Sequence, residues 1–91
     1  MLNRFLGYKI EFTKSARKEL NSLESKDSKK IAKNLYNLVS GLMVDLKKLE
    51  DSKSLYRIRC GDYRVIFEEQ KSVLTIMVIR VKHRKEAYRK I

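Results

Sequence analysis

Proline is absent from the 91 residues, and glycine occurs three times, at Gly7, Gly41 and Gly61. So few chain breakers favour long regular elements, and no glycine-rich loop is present to cradle a phosphate. A single cysteine, Cys60, excludes an intrachain disulfide and a cysteine zinc site. A single histidine, His83, excludes a histidine metal cluster and leaves no spare imidazole beside a hydrolytic triad. No apolar run approaches the roughly 18 residues of a membrane span. Met1 to Gly7 holds too few apolar residues for a signal peptide. The expectation is a reducing, cytoplasmic location, with no membrane, metal or cofactor.

Acidic residues are scarce beside basic ones: 11 Asp and Glu against 22 Lys and Arg, a formal charge of +11. That excess points to a polyanionic partner and away from the surface of an ordinary metabolic enzyme. It is also uneven. Residues 1–52 carry 11 basic and 7 acidic side chains; residues 53–91 carry 11 and 4, with six of the eight arginines. The length allows one domain, 1–91, with one small core. A chain of this size buries only about 60–65% of its unfolded surface.

Tyr8 to Thr13 alternates apolar and polar, which predicts a strand with Tyr8, Ile10 and Phe12 facing inward. Thr13 suits the cap of a short helix with its stripe at Ala16, Leu20 and Leu23. Ser25 to Ser28 breaks that pattern, with Asp27 or Ser28 as a second cap. A longer stripe follows at Ile31, Leu35, Leu38 and Leu42, ending near Gly41 to Val44. Residues 45–54 are charged and read as a connection. Two alternating runs then flank Gly61-Asp62, a two-residue hairpin turn. Val73 to Val81 is apolar on both faces, as an interior strand would be. The basic tail from Lys82 suits a short helix. Together these predict an α+β fold: a small antiparallel sheet of about four strands, in the order strand, helical hairpin, then three strands. The hairpin of helices covers one face.

The β-hairpin fixes a geometry. A two-residue loop sets Cys60 opposite Tyr63, Arg59 opposite Arg64 and Arg57 opposite Ile66. Tyr56, Ile58, Cys60, Tyr63, Val65 and Phe67 then share the face toward the helices, and Arg57, Arg59 and Arg64 share the other. Arg59 against Arg64 is a like-charge pair with no structural benefit, and an anion between them would relieve it. Guanidinium groups on a rigid sheet can hold a phosphate through parallel N–H bonds. The bland reading is a solvated outer face, partly neutralised by Asp62, Glu68 or Glu69.

Four segments together resemble the RelE/ParE toxin superfamily of toxin–antitoxin systems: Tyr8 to Leu20, Lys47 to Leu49, Leu55 to Phe67 and Val78 to Arg89. They run in family order across nearly the whole chain. The resemblance implies a RelE-like endoribonuclease that cleaves messenger RNA in the ribosomal A site. It maps the working residues onto Arg57, Arg59, Arg64, Arg84 and Tyr88. In that scheme the RNA 2′-hydroxyl attacks the adjacent phosphate, so no metal is required. Arg64 and Arg84 would stabilise the developing charge. Arg57 and Arg59 would orient the phosphate, and Tyr88 would stack on a base or assist proton transfer. His83 is the fallback acid or base. Lys47, Lys48, Arg80, Lys82, His83 and Lys85 are the expected RNA contacts around them. Lysine replaces Arg57 and Arg59 in some relatives, and arginine, always protonated, cannot serve as a base.

The resemblance also implies partners: the ribosome with its messenger, and an acidic, RelB-like antitoxin. A +11 surface suits such an acidic chain folding upon it. Two other functions fit the same residues. One is a ParE-like inhibitor of DNA gyrase; the other is a non-catalytic basic RNA-binding domain. Tyr56 and Tyr63 point to the helix side, which weighs against base stacking on the arginine face. The bland readings set Tyr88 against the apolar edge of a C-terminal helix and His83 at the surface. They also place Arg84 and Lys85 in a solvated tail.

Overall fold

The computed structural model describes residues 3–50 and 52–86. Five strands and two helices are present among them: β1 (Lys9–Phe12), α1 (Lys14–Asn21), α2 (Ser25–Val39), β2 (Asp45–Lys48), β3 (Leu55–Cys60), β4 (Tyr63–Gln70) and β5 (Thr75–His83). The sheet order is β1-β5-β4-β3-β2, so the architecture is α+β. β1 pairs with β5 in parallel and every other pairing is antiparallel.

Two expectations need correction here. The sheet is mixed and has five strands, not four antiparallel ones. The extra strand is Asp45-Leu-Lys-Lys48, inside the stretch read as a connection. With one apolar residue in four it carries no alternation to detect. Short, charged strands are what sheet edges tolerate, because they discourage pairing with other chains.

Thr13 caps α1 as expected, its hydroxyl accepting from the Ala16 N–H at 3.1 Å. α2 starts earlier than the sequence suggests. Glu24 occupies its cap position and Ser25 to Ser28 form its first turn, so neither Asp27 nor Ser28 is the cap. The helix ends at Val39 with Ser40 as cap, and Gly41 follows at φ +80. That left-handed residue turns the chain away, so Leu42 lies beyond the helix and is exposed. The α2 stripe that does reach the core is Ile31, Leu35 and Leu38.

The core lies between the helices and one sheet face. Ile58, Val65, Phe67, Ile76 and Val78 are fully buried there, with Tyr56, Cys60 and Val81 nearly so. Phe5, from the segment before β1, is fully buried with them. Its ring meets Tyr8, Tyr56 and Phe67 edge-on at 5.2–5.4 Å between centroids.

The pairing of β4 with β5 shifts between Ile66 and Phe67, where Arg80 and Val78 are the respective partners. Ile79 is thus one residue extra, a bulge that resets the alternation along β5. Before it Ile76 and Val78 face the core, and after it Val81 does. Without the bulge Arg80 and Lys82 would point into the helices. No helix among the described residues is long and apolar enough to cross a membrane.

Candidate functional site

The β3–β4 turn is built as the sequence predicts. Gly61 takes φ +61, a backbone state that glycine adopts without strain, and it opens the two-residue loop. The resulting register pairs Cys60 with Tyr63, Arg59 with Arg64 and Arg57 with Ile66. Extending that register across β2 and β5 gives two rows on the face away from the helices. One runs Asp45, Arg59, Arg64, Lys82; the other runs Lys47, Arg57, Ile66, Arg80. At about 4.8 Å between strands each row spans roughly 14 Å.

The arginines in these rows are not equally open. Arg59 is exposed, whereas Arg57 and Arg64 are both only 7% exposed. Ile66 is fully buried although it points away from the helices. The long stems of Arg57 and Arg80 flank it across the strands, as amphipathic side chains do over apolar surface.

Partners for these guanidinium groups are sparse. Arg64 Nη1 donates to the turn carbonyls of Gly61 and Tyr63, at 3.0 and 3.1 Å. Asp45 stands near two arginines, Oδ1 lying 3.5 Å from Arg57 Nη2 and Oδ2 lying 3.7 Å from Arg59 Nε. The Nε atoms of Arg57 and Arg64 are buried and have no hydrogen-bond partner among the described residues. A buried, unpaired donor costs about 1–3 kcal/mol, more on a charged group. This face therefore carries a local cost in stability.

The opposed pair Arg59 and Arg64 relieve their repulsion by leaning apart, one toward Asp45 and the other toward the turn. Asp45 is the site residue that the sequence does not indicate. Assigning it needs the β2 pairing, which its own segment conceals.

Arg84 extends the hairpin end. Its N–H donates to the Asp62 carbonyl at 2.7 Å, and its exposed guanidinium lies 3.9 Å from the Asp62 carboxylate. Lys47 and Lys48 are exposed on β2, Arg80 is half-buried on β5, and Lys85 is exposed beyond it. Lys82 shares the arginine row by register, yet its ammonium is held 2.7 Å from Glu19 of α1. The other Glu19 oxygen accepts the Val81 N–H at 2.8 Å, where β5 outruns β1 and its edge would otherwise be open.

His83 does not join the arginines. It pairs with Tyr63 on the helix side, the rings edge-on at 5.5 Å, and its Nδ1 accepts from the Lys85 N–H at 3.3 Å. Strand alternation sets it one residue out of phase with Lys82 and so on the opposite face. Tyr88 lies outside the described residues, and the helix expected from Lys82 does not begin there: Lys82 and His83 belong to β5 and residues 84–86 form a turn. Cys60 is a packing residue; burial pushes its thiol up to about 12, so it is not a thiolate at neutral pH.

A second polar cluster sits on the helix side. Arg4 meets Glu69 through both terminal guanidinium nitrogens, Nη1 to Oε2 at 2.7 Å and Nη2 to Oε1. The Tyr8 hydroxyl donates to Glu69 Oε2 at 2.7 Å, and Arg4 also donates to the Tyr56 hydroxyl. The Arg4 guanidinium beside it, seconded by Tyr8, holds the Glu69 carboxyl below its usual range despite burial. Glu69 in turn raises both Arg4 and Tyr8. This cluster pins the segment before β1 to the sheet.

The α+β fold of two helices and a five-stranded sheet has known counterparts. The family described as the ParE toxin of type II toxin–antitoxin systems, parDE, matches residues 10–88. The chain belongs to this family, within the RelE/ParE toxin superfamily. Among solved structures it is similar to RelE of the RelE–RelB complex from Pyrococcus horikoshii, at 30% identity and TM-score 0.71, over 90% of this chain and all of that one. It is similar to the RelB–RelE antitoxin–toxin complex from Methanococcus jannaschii at 29% identity and TM-score 0.73, over 89% and 98%. The isolated Escherichia coli RelE toxin shares the fold at 23% identity and TM-score 0.74, over 84% and 83%. No curated protein matches it.

Proposed function

We propose that the chain is the toxin of a toxin–antitoxin pair and acts as a ribosome-dependent endoribonuclease on messenger RNA. One observation carries the reading: Lys47, Arg57, Arg59, Arg64 and Arg80 line one sheet face in two cross-strand rows, with Asp45 the sole acid in those rows. Such rows of cations suit a polyanion, whose phosphates guanidinium termini can hold. The nucleophile is the RNA 2′-hydroxyl, which attacks the adjacent phosphate and expels the 5′-oxygen. The new bond makes a 2′,3′-cyclic phosphate, and the proton lost from the 2′-hydroxyl balances the one gained by the 5′-oxygen. The pentacoordinate phosphate gathers negative charge, which Arg64 and Arg84 stabilise. Arg57 and Arg59 orient it, and Lys47, Lys48, Arg80 and Lys85 follow the flanking backbone. Tyr88 stacks on a base. The ribosome supplies the in-line geometry of the messenger. The partner that silences the site is an acidic antitoxin, in keeping with the RelB chains of the archaeal complexes and with the +11 charge.

The experiment is addition of purified protein to translating ribosomes, with messenger cleavage mapped to the codon. The expected result is a cut within the A-site codon. Removing a single such charge stabiliser costs about 100-fold or more, so Arg64→Ala combined with Arg84→Ala abolishes cleavage while the unfolding midpoint holds. A second reading is favoured by the family match itself, which is to ParE: inhibition of DNA gyrase on the same scaffold. Intact messenger together with blocked supercoiling would replace the first reading by the second.

A further inference from the structure

Of the eight positions in the two cross-strand rows, six are basic, one is Ile66 and one is Asp45. Asp45 is the sole acid in the rows. Its carboxylate addresses two guanidinium groups at once, one oxygen each, at 3.5 and 3.7 Å. Both distances exceed the roughly 2.7–2.9 Å of a charge-assisted hydrogen bond. The carboxylate neutralises the arginines without satisfying them: Arg57 Nε remains unpartnered with Asp45 in place. Arg57 is held by burial, its side chain 9% exposed, whereas the Asp45 side chain is 51% exposed at the first residue of an edge strand. Rotation about its χ1 would carry the carboxylate into solvent without breaking any ladder bond.

We propose that Asp45 is a built-in competitor for RNA phosphate. It sits between Arg57 and Arg59 in the free protein and yields that place when a phosphate arrives. The inference rests on the reading of this face as an RNA surface and names what RNA must displace there. A phosphodiester offers two charged oxygens to the same two arginines. Its neighbours along the strand reach Lys47, Arg64 and Arg80 in the same rows, which one carboxylate cannot do. An isolated anion therefore gains little over Asp45, and a continuous backbone gains several contacts together. The acid raises the threshold for loose polyanions on a +11 protein.

The test is binding of a short 2′-O-methyl oligoribonucleotide, which cannot undergo 2′-hydroxyl attack, across a range of salt. Asp45→Asn keeps shape and removes the charge. Relieving a half-exposed ion pair should tighten binding by about threefold. The slope of log K against log salt should steepen by about 0.7, the value of one ion on a single strand, because no displaced carboxylate takes up a cation to offset one released from the RNA. Asp45→Ser should produce the same two shifts, and Asp45→Glu, which keeps the charge, should bind like the wild type. Unchanged or weaker binding by both neutral variants, with an unchanged unfolding midpoint, overturns the proposal. So does an oligonucleotide that binds neither wild type nor variant. Tighter binding by the neutral variants together with no messenger cleavage by the wild type keeps the competitor and removes the nuclease reading alone.

Discussion

On the helix side of the sheet, Arg4 grips Glu69 through both terminal nitrogens, two tyrosine hydroxyls complete the cluster, and the Glu69 side chain is 1% exposed. On the other side, Arg57 and Arg59 share one half-exposed carboxylate at 3.5 and 3.7 Å, and two buried Nε donors go unanswered. The same residue types are arranged to opposite ends. The first arrangement satisfies both oxygens of a buried carboxylate and so fastens the chain segment that carries Phe5 into the core. The second leaves donor capacity unspent. Local stability favours the first, and the second leaves buried donors at a cost in stability.

Substituting methionine for one arginine on each face separates the two. Arg4→Met leaves the Glu69 carboxylate buried with only Tyr8 to donate. Orphaning a buried charge costs about 3 kcal/mol, and the expected loss of that size is read by urea unfolding with RNA binding retained. Arg57→Met is expected to do the reverse. Replacing a buried, poorly partnered ion by an apolar side chain of similar volume is often neutral or stabilising, so unfolding should change by less than about 1 kcal/mol or move upward. RNA binding and cleavage should fall about tenfold or more. Equal destabilisation by both variants would erase the contrast between the faces.

Much of the arginine face is legible in the sequence, and the reason is geometric. Gly61-Asp62 fixes the loop length, and loop length fixes which residues oppose one another, so the pattern of residues alone places Arg57, Arg59 and Arg64 together. Their surroundings are not legible. Asp45 enters through a four-residue edge strand with no alternation. Arg80 and Lys82 reach the face through a bulge at Ile79, and a single inserted residue is invisible in a run apolar on both sides. The face that His83 takes is hidden for the same reason, because the phase of β5 beyond the bulge cannot be read from the sequence. The Arg4 cluster escapes detection because it joins residues 61 and 65 positions apart, beyond any local pattern.

The smallest effect expected is the most specific to the helix-side cluster. Glu69 is held below the usual carboxylate range in the folded protein, chiefly by Arg4. In the unfolded chain it titrates near 4.3. The group therefore adds stability at pH above that value. As pH falls below about 4.3 the unfolded chain takes up the proton first, and the contribution drains away until the folded carboxyl is protonated too. Glu69→Gln keeps the shape and an acceptor for Tyr8 but cannot titrate. It should cost about 1 kcal/mol at neutral pH, since half-exposed Arg4 turns to water. The difference between wild type and variant should then shrink as pH is lowered through 4 toward 3, as measured by urea unfolding at each pH. A constant gap between wild type and Glu69→Gln across that range would mean that Arg4 grips the glutamine as well as the carboxylate, and the two faces would differ in packing but not in charge.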